Sequence, residues 1–239
     1  PNTKIECDRR LKNIFCNSFP YHKNNFVDLG SISENLDSLK KYDFTIYAGS
    51  LGRYFRNSRE DFDNNNIFLK ADDKLTTEIK SKLNSLKYKY NIGISWKSFK
   101  NRYSKEKSLT LESLNNIFKK DNYNIINLQY GDVTNEIENY NNTFQKQIVT
   151  IDNLDLFNDF DNVACVLKNL DLFISVSNST AHLAGSLGVK TLLIRPNNHA
   201  MFHYWNQPEN KTPWYKSITL IDKNEIMGDE NFIDKYLDI

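Results

Sequence analysis

Residues 171–195, DLFISVSNSTAHLAGSLGVKTLLIR, place an apolar strand, a polar turn, a small-residue helix closed by glycine and a second apolar strand in immediate succession. Few architectures accept that order. Leu172, Phe173, Ile174 and Val176 read as a strand buried on both faces, as do Leu192, Leu193 and Ile194, which is the pattern of a parallel sheet covered by helices. Between them, Ser177, Asn178, Ser179 and Thr180 supply N-cap side chains and leave the first backbone N–H groups of the helix without intrahelical partners. Helix dipole and unpaired donors both favour an anion at such a start. Ala181, Ala184 and Gly185 let the helix lie close to the sheet. An ordinary well-capped αβ unit has the same residues, so the segment alone leaves phosphate binding and simple capping equally open.

The alternation extends upstream. It predicts strands over residues 91–95, 124–129 and 147–151 and helices over 108–120, 133–141 and 160–169, hence a mostly parallel sheet with helices on both faces. Ligands of such sheets bind outside the carboxyl ends of the strands. The first part of the chain is less regular: a strand over 3–7, a helix over 9–18 stopped by Pro20, a strand over 43–47, a polar loop over 57–72 with a short strand at 67–69, and a helix over 74–88. This places a boundary near residue 90, giving a partial α/β domain over 1–89, a Rossmann-like domain over 90–224 and a terminal segment over 225–239.

With 239 residues, 39% of them hydrophobic, the chain has the material for a real core. A net charge of +1, with lysines scattered among acids, argues against nucleic acid as a partner. Cys7, Cys16 and Cys165 show neither metal spacing nor a CxxC pair, so they read as thiols of a reducing, cytoplasmic compartment. No apolar run is long enough to span a bilayer. Opening at Pro1 directly into the strand-like TKIECD, the chain is expected to continue a longer protein.

The positions following the predicted strands are polar. Trp96, Lys97 and Ser98 follow the first, which ends on Ser95, itself a donor-binding candidate; the lysine is suited to hold a phosphate as a point charge, or else is a solvated loop residue. Gln129, Tyr130, Gly131 and Asp132 follow the second and could read a base or ribose, or simply turn the chain. Asp159 or Asp161 caps the next helix. His182 falls in the first turn of the same helix as Ser179; a lone histidine is usually structural, yet beside a helix N-terminus an imidazole can donate to a phosphate or leaving group, which makes it the catalytic candidate. His199, His203 and Trp205, with Trp214 and Tyr215, either line a cleft or latch a long loop onto the sheet. HExxH, GxSxG, GxGxxG and GxxxxGK[ST] are all absent, which weakens zinc-protease, hydrolase, NAD-dehydrogenase and NTPase readings.

Several stretches together, IECDRRLKNIFCNSFP, DFTIYAGSLGRYFR, IGISWKS, INLQYGD, LDLFISVSNSTAHLAGSLGVKTLLIRP and TPWYKS, carry a resemblance. The chain resembles the glycosyltransferase-family-9-like region found at the C-terminus of bacterial tetratricopeptide-repeat proteins, related to heptosyltransferases and more distantly to protein O-GlcNAc transferases. The resemblance implies a GT-B architecture, in which two Rossmann-like domains face each other across a cleft. It implies a nucleotide-diphosphate-sugar donor bound without metal or other cofactor. The diphosphate would meet Lys97, Asn178, Ser179, Thr180 and His182, and the nucleoside would lie near Gln129, Tyr130 and Gly131. A glycan or protein acceptor would enter near Gly49, Ser50 and Arg53. It further implies that residues 225–239 form a final helix packing back towards the N-terminal domain.

Two departures from that pattern bear on activity. Ser177 stands where many relatives have Asp, and by the same resemblance the first strand and glycine loop of the N-terminal domain, which carry a candidate base, are expected to lie outside this stretch of chain. A non-catalytic binding or scaffold module is therefore the alternative to a glycosyltransferase. A nucleotide-sugar epimerase would need a carboxylate pair over the sugar, which the strand ends do not supply.

Overall fold

The computed structural model describes residues 3–62, 67–86, 88–99, 104–196, 202–227 and 229–237. The first part contains β1 (Ile5–Cys7), α1 (Arg9–Ser18), β2 (Phe26–Asp28), α2 (Leu36–Leu39), α3 (Gly52–Phe55) and α4 (Asp73–Asn84). The regular part follows with β3 (Tyr90–Ser95), α5 (Ser104–Lys107), α6 (Leu111–Leu114), β4 (Tyr123–Asn127), α7 (Thr134–Phe144), β5 (Ile148–Val149) and α8 (Phe160–Leu167). The chain ends with β6 (Leu172–Val176), α9 (Ser179–Ser186), β7 (Thr191–Ile194), β8 (Lys211–Thr212), β9 (Tyr215–Ile221) and α10 (Lys223–Met227).

The main sheet has seven strands in the order β5-β4-β3-β6-β7-β9-β8, parallel throughout except for the last pair. As the alternation predicts, the fold is α/β with helices on both faces. The sheet starts at its centre with β3, grows outward through β4 and β5, and then returns to the other side of β3 with β6. Such a reversal is where open α/β sheets bind ligands, because the connections leaving the two central strands run in opposite directions. Side chains alternate between two cores. Ile92, Ile94, Leu172 and Ile174 pack with Leu111, Leu114 and Ile117 on one face, while Ile126, Leu128 and Phe173 pack with Val163, Val166 and Leu167 on the other.

The large sheet begins at Tyr90, and the buried side chains before it do not stand apart from it. Ile14 of α1 and Ile79 and Leu83 of α4 belong to the same apolar cluster as Val163–Leu167 of α8. Helices α1 and α4 are thus layered onto the sheet unit, and β1 and β2 form a separate two-stranded parallel sheet.

Four sequence expectations require correction. Residues 43–47 form no strand; Phe44 and Tyr47 are 93% and 86% exposed, and alternation without a neighbouring strand to pair with does not make a sheet. Residues 67–69 likewise form no strand, and the Phe68 and Leu69 N–H groups instead donate to the Ser186 carbonyl at the end of α9, at 2.9 and 3.0 Å. The helix expected over 108–120 is reduced to α6 and a 3-10 turn over Asn115–Phe118, since Leu109 N is held by the Trp96 carbonyl at 2.8 Å and the helix starts only after Thr110, its N-cap. The terminal segment is not one helix packed on the N-terminal part. It is α10 and a 3-10 turn over Ile233–Tyr236, and Ile226, Phe232, Ile233 and Leu237 are buried in the cluster of Leu111, Leu114 and Ile117. Asp234 fixes that seat by accepting from Lys120 and the Tyr123 hydroxyl.

Candidate functional site

At the reversal, Ser95 of β3 and Ser175 of β6 are register partners, and the loops after both strands emerge side by side. Three buried polar side chains fasten these loops to the one after β4. Asn178 Nδ2 donates to Ser95 Oγ at 2.7 Å, Ser95 Oγ donates to Gln129 Oε1 at 3.1 Å, and the Lys97 N–H donates to that same oxygen at 2.6 Å. Gln129 Nε2 closes the network on the Tyr130 carbonyl at 2.9 Å. Gln129 is fully buried and Ser95 is 1% exposed, so both serve as the floor of the site. Their satisfied bonds hold three strand ends in one arrangement.

Asn178 has a second task. Its extended backbone places Oδ1 to accept from the Ala181 N–H at 3.1 Å, capping α9. The Ser179 and Thr180 N–H groups point out of the helix start by helix geometry. Ser179 is exposed and Thr180 buried, so the N-terminal end of α9 opens to solvent at Ser179.

Lys97 is half-buried and its ammonium is paired with Glu136, whose other oxygen accepts from the Trp96 indole N–H at 2.9 Å. Trp96 itself is 1% exposed and anchors the loop from below. Sequence reading missed Glu136. Its only signal was an acid in the first turn of a helix, where the dipole explains a carboxylate without invoking a site.

His182 lies one turn into α9. Its Nδ1 is 3.0 Å from the Tyr215 hydroxyl, and its ring centroid is 4.9 Å from those of Tyr204 and Trp205. Burial, with a smaller contribution from His203, pulls its pKa down to about 4, while burial pushes the Tyr215 phenol up to about 12. The imidazole is therefore neutral near pH 7. When Nδ1 accepts from Tyr215, Nε2 carries the proton as a donor.

The depressed value also sets a stability slope. Relative to an ordinary 6.5, the unfolded chain binds more protons than the native one between pH 6.5 and 4, so stability rises with pH across that window and is lost as pH falls through it. A melting series from pH 7 to pH 4.5 is expected to fall more steeply for the unsubstituted protein than for His182→Gln. Parallel series would show that His182 does not carry this linkage.

The aromatic segment divides. Trp205 is fully buried with Ala181, Leu193, Ile218 and Leu220, and its indole N–H donates to Ser177 Oγ at 3.0 Å, so it is a latch rather than a cleft wall. His203 is exposed, with its ring 3.8 Å from that of Tyr204. His199 lies outside the described residues. Trp214 meets Phe62 edge-on at 4.9 Å, and Arg56 lies over Phe62 at 5.1 Å, which brings the segment after α3 to the same cluster. Gly49 and Ser50 occupy a 3-10 turn and Arg53 is exposed on α3. Among the described residues, no group of three His, Cys, Asp or Glu side chains is arranged to hold a metal ion, and no helix is long and apolar enough to cross a membrane. Cys7 and Cys165 are buried free thiols, and Cys16 is free and partly exposed.

No family model matches the sequence. Protein FlbA of Caulobacter vibrioides is 26% identical over 224 residues, covering 90% of this chain and 37% of FlbA. The chain thus spans little more than a third of that curated relative. Among solved structures, a glycosyl transferase family 9 protein from Veillonella parvula overlays 64% of this chain and 42% of its own, at 11% identity and a TM-score of 0.49. The E. coli heptosyltransferase WaaC, solved with ADP, overlays 62% of this chain and 43% of its own, at 14% identity and a TM-score of 0.42.

Proposed function

We propose that the chain binds a nucleoside-diphosphate sugar at the sheet reversal and forms the donor half of a glycosyltransferase. The observation that carries this reading is the meeting of the α9 N-terminus and Lys97 at the carboxyl ends of β6 and β3, over a floor already fastened by Ser95, Gln129 and Asn178. An arriving diphosphate would find backbone donors at Ser179 and Thr180 and a positive dipole end. The Lys97 ammonium, now paired with Glu136, would supply a point charge. Sugar transfer leaves a nucleoside diphosphate with added negative charge, and groups held in place before the reaction stabilise that charge most effectively. The neutral His182 would contribute an N–H donor. This chemistry needs no metal, because the cation and the helix end take on the neutralisation. The acceptor, a glycan or protein hydroxyl or amide, would approach from the side of Gly49, Ser50 and Arg53.

The test is ligand stabilisation. UDP, GDP and ADP are added in turn, and at least one is expected to raise the melting temperature by mass action. Lys97→Ala is expected to weaken that ligand roughly ten- to a hundredfold, the worth of a charge-assisted hydrogen bond. No shift with any of the three would overturn the reading. Release of nucleoside diphosphate from a nucleotide-sugar would then separate a transferase from a module that only binds.

A further inference from the structure

We infer that the rings of Phe99, Tyr130 and Phe157 form the surface on which the base of the nucleoside diphosphate stacks; the inference rests on the donor reading above. The three residues come from the segments after β3, β4 and β5, so they line the carboxyl edge of the sheet on the β5 side of Lys97. They touch although they are far apart in sequence. Phe99 and Tyr130 have ring centroids 5.4 Å apart, and Tyr130 and Phe157 are 6.2 Å apart. Tyr130 directly follows Gln129, which holds the Lys97 backbone, so the rings adjoin the floor of the site.

Two observations distinguish this row from incidental surface apolarity. The outer rings are open, Phe99 being 48% and Phe157 55% exposed, so neither is spent on the core. Both are nonetheless held. Gly131 has φ +89°, and a Cβ there would come within 2.6 Å of the Phe99 ring, so the loop is shaped to let that ring lie against its backbone. The Phe99 N–H donates to the Tyr130 hydroxyl at 3.2 Å. On Phe157, the Arg10 guanidinium lies 4.7 Å from the ring centroid, donates to the Phe157 carbonyl at 3.1 Å and is fixed by Asp8 at 2.8 Å. Ordered, solvent-facing rings beside a phosphate-binding helix end suit a flat π system, and every base has one. This assigns Phe99 and Phe157, which no motif singled out, to nucleoside recognition.

The experiment measures dissociation constants of ADP, GDP, UDP and inorganic pyrophosphate by calorimetry. The full chain is compared with Phe157→Ala, Phe157→Leu and Phe99→Ala, each checked for an unchanged far-UV spectrum. The expected result is that a nucleoside diphosphate binds more tightly than pyrophosphate. The alanine variants should weaken the nucleotide roughly five- to a hundredfold while leaving pyrophosphate unchanged. Phe157→Leu, which keeps bulk and loses the ring, should fall on the weakened side. Tight nucleotide binding that none of the variants alters would overturn the stacking surface and leave the donor reading standing, as would equal affinities for nucleotide and pyrophosphate. Absence of binding by all four ligands would overturn both.

Discussion

Trp205→Ala is expected to lower the unfolding free energy by about 3–5 kcal/mol, the range for truncating a large buried aromatic. The residue is fully buried against Ala181, Leu193, Ile218 and Leu220, so the lost side chain leaves a cavity between α9 and the β7–β9 side of the sheet. Packing is not the whole loss. Its indole N–H donates to Ser177 Oγ at 3.0 Å, and truncation leaves that 5%-exposed hydroxyl without its donor immediately before the α9 cap. His182, whose ring lies 4.9 Å away, also loses its neighbour. Against a typical domain stability of about 5–15 kcal/mol, the change is large. Urea denaturation is the measurement, with Trp205→Phe expected between the two because it keeps part of the packing while losing the hydrogen bond. A loss below about 1 kcal/mol for the alanine variant would show that the segment around Trp205 does not latch the sheet.

Gly185→Val is the second large effect, and it reaches function as well as stability. A Cβ at Gly185 would lie 2.5 Å from Cγ of the Tyr215 ring and 2.9 Å from Ile218 Cδ1, so α9 must move off β9 or Tyr215 must swing away. Overpacking of this kind costs about 1–3 kcal/mol. Either displacement breaks the contact between the Tyr215 hydroxyl and His182 Nδ1, and a moved α9 carries its N-terminus with it. The expected outcome is a lower melting temperature together with weakened nucleoside-diphosphate stabilisation. Gly185→Ala should show the same pair of changes at smaller size. A variant of unchanged melting temperature would show that α9 does not depend on close approach at this point.

The parts of the fold that local chemistry settles were readable without coordinates. The strand over 172–176 is apolar at every position but Ser175, and Asn178 sits where a cap is needed, so that αβ unit follows from its own residues. The same reasoning failed at 43–47, where Phe44 and Ile46 alternate as a strand would, because pairing depends on a neighbour that alternation cannot supply. At 225–239 the final helix was what the resemblance implied, and the chain instead forms α10 and a 3-10 turn there. The apolar residues there were visible, but which surface they cover is decided by Leu111, Leu114 and Ile117, more than a hundred positions earlier.

For the candidate site the division is the same. Spacing marked Lys97, Gln129, Asn178 and His182 as polar groups at strand ends, because a parallel sheet fixes which end of each strand can face a ligand. It could not assign them roles. Gln129 and Ser95 could each have faced a ligand, and their burial in a closed hydrogen-bond network makes them the floor instead. Glu136 was indistinguishable from any first-turn acid until α7 folded against the loop carrying Lys97. Phe99, Tyr130 and Phe157 were scattered aromatics until three strand ends became neighbours. The sequence by itself determined the αβ alternation and the capped helix start, since both rest on residues within a few positions of one another. Only the tertiary structure decided the strand order with its reversal between β3 and β6, because that order is set by contacts between residues remote in the chain.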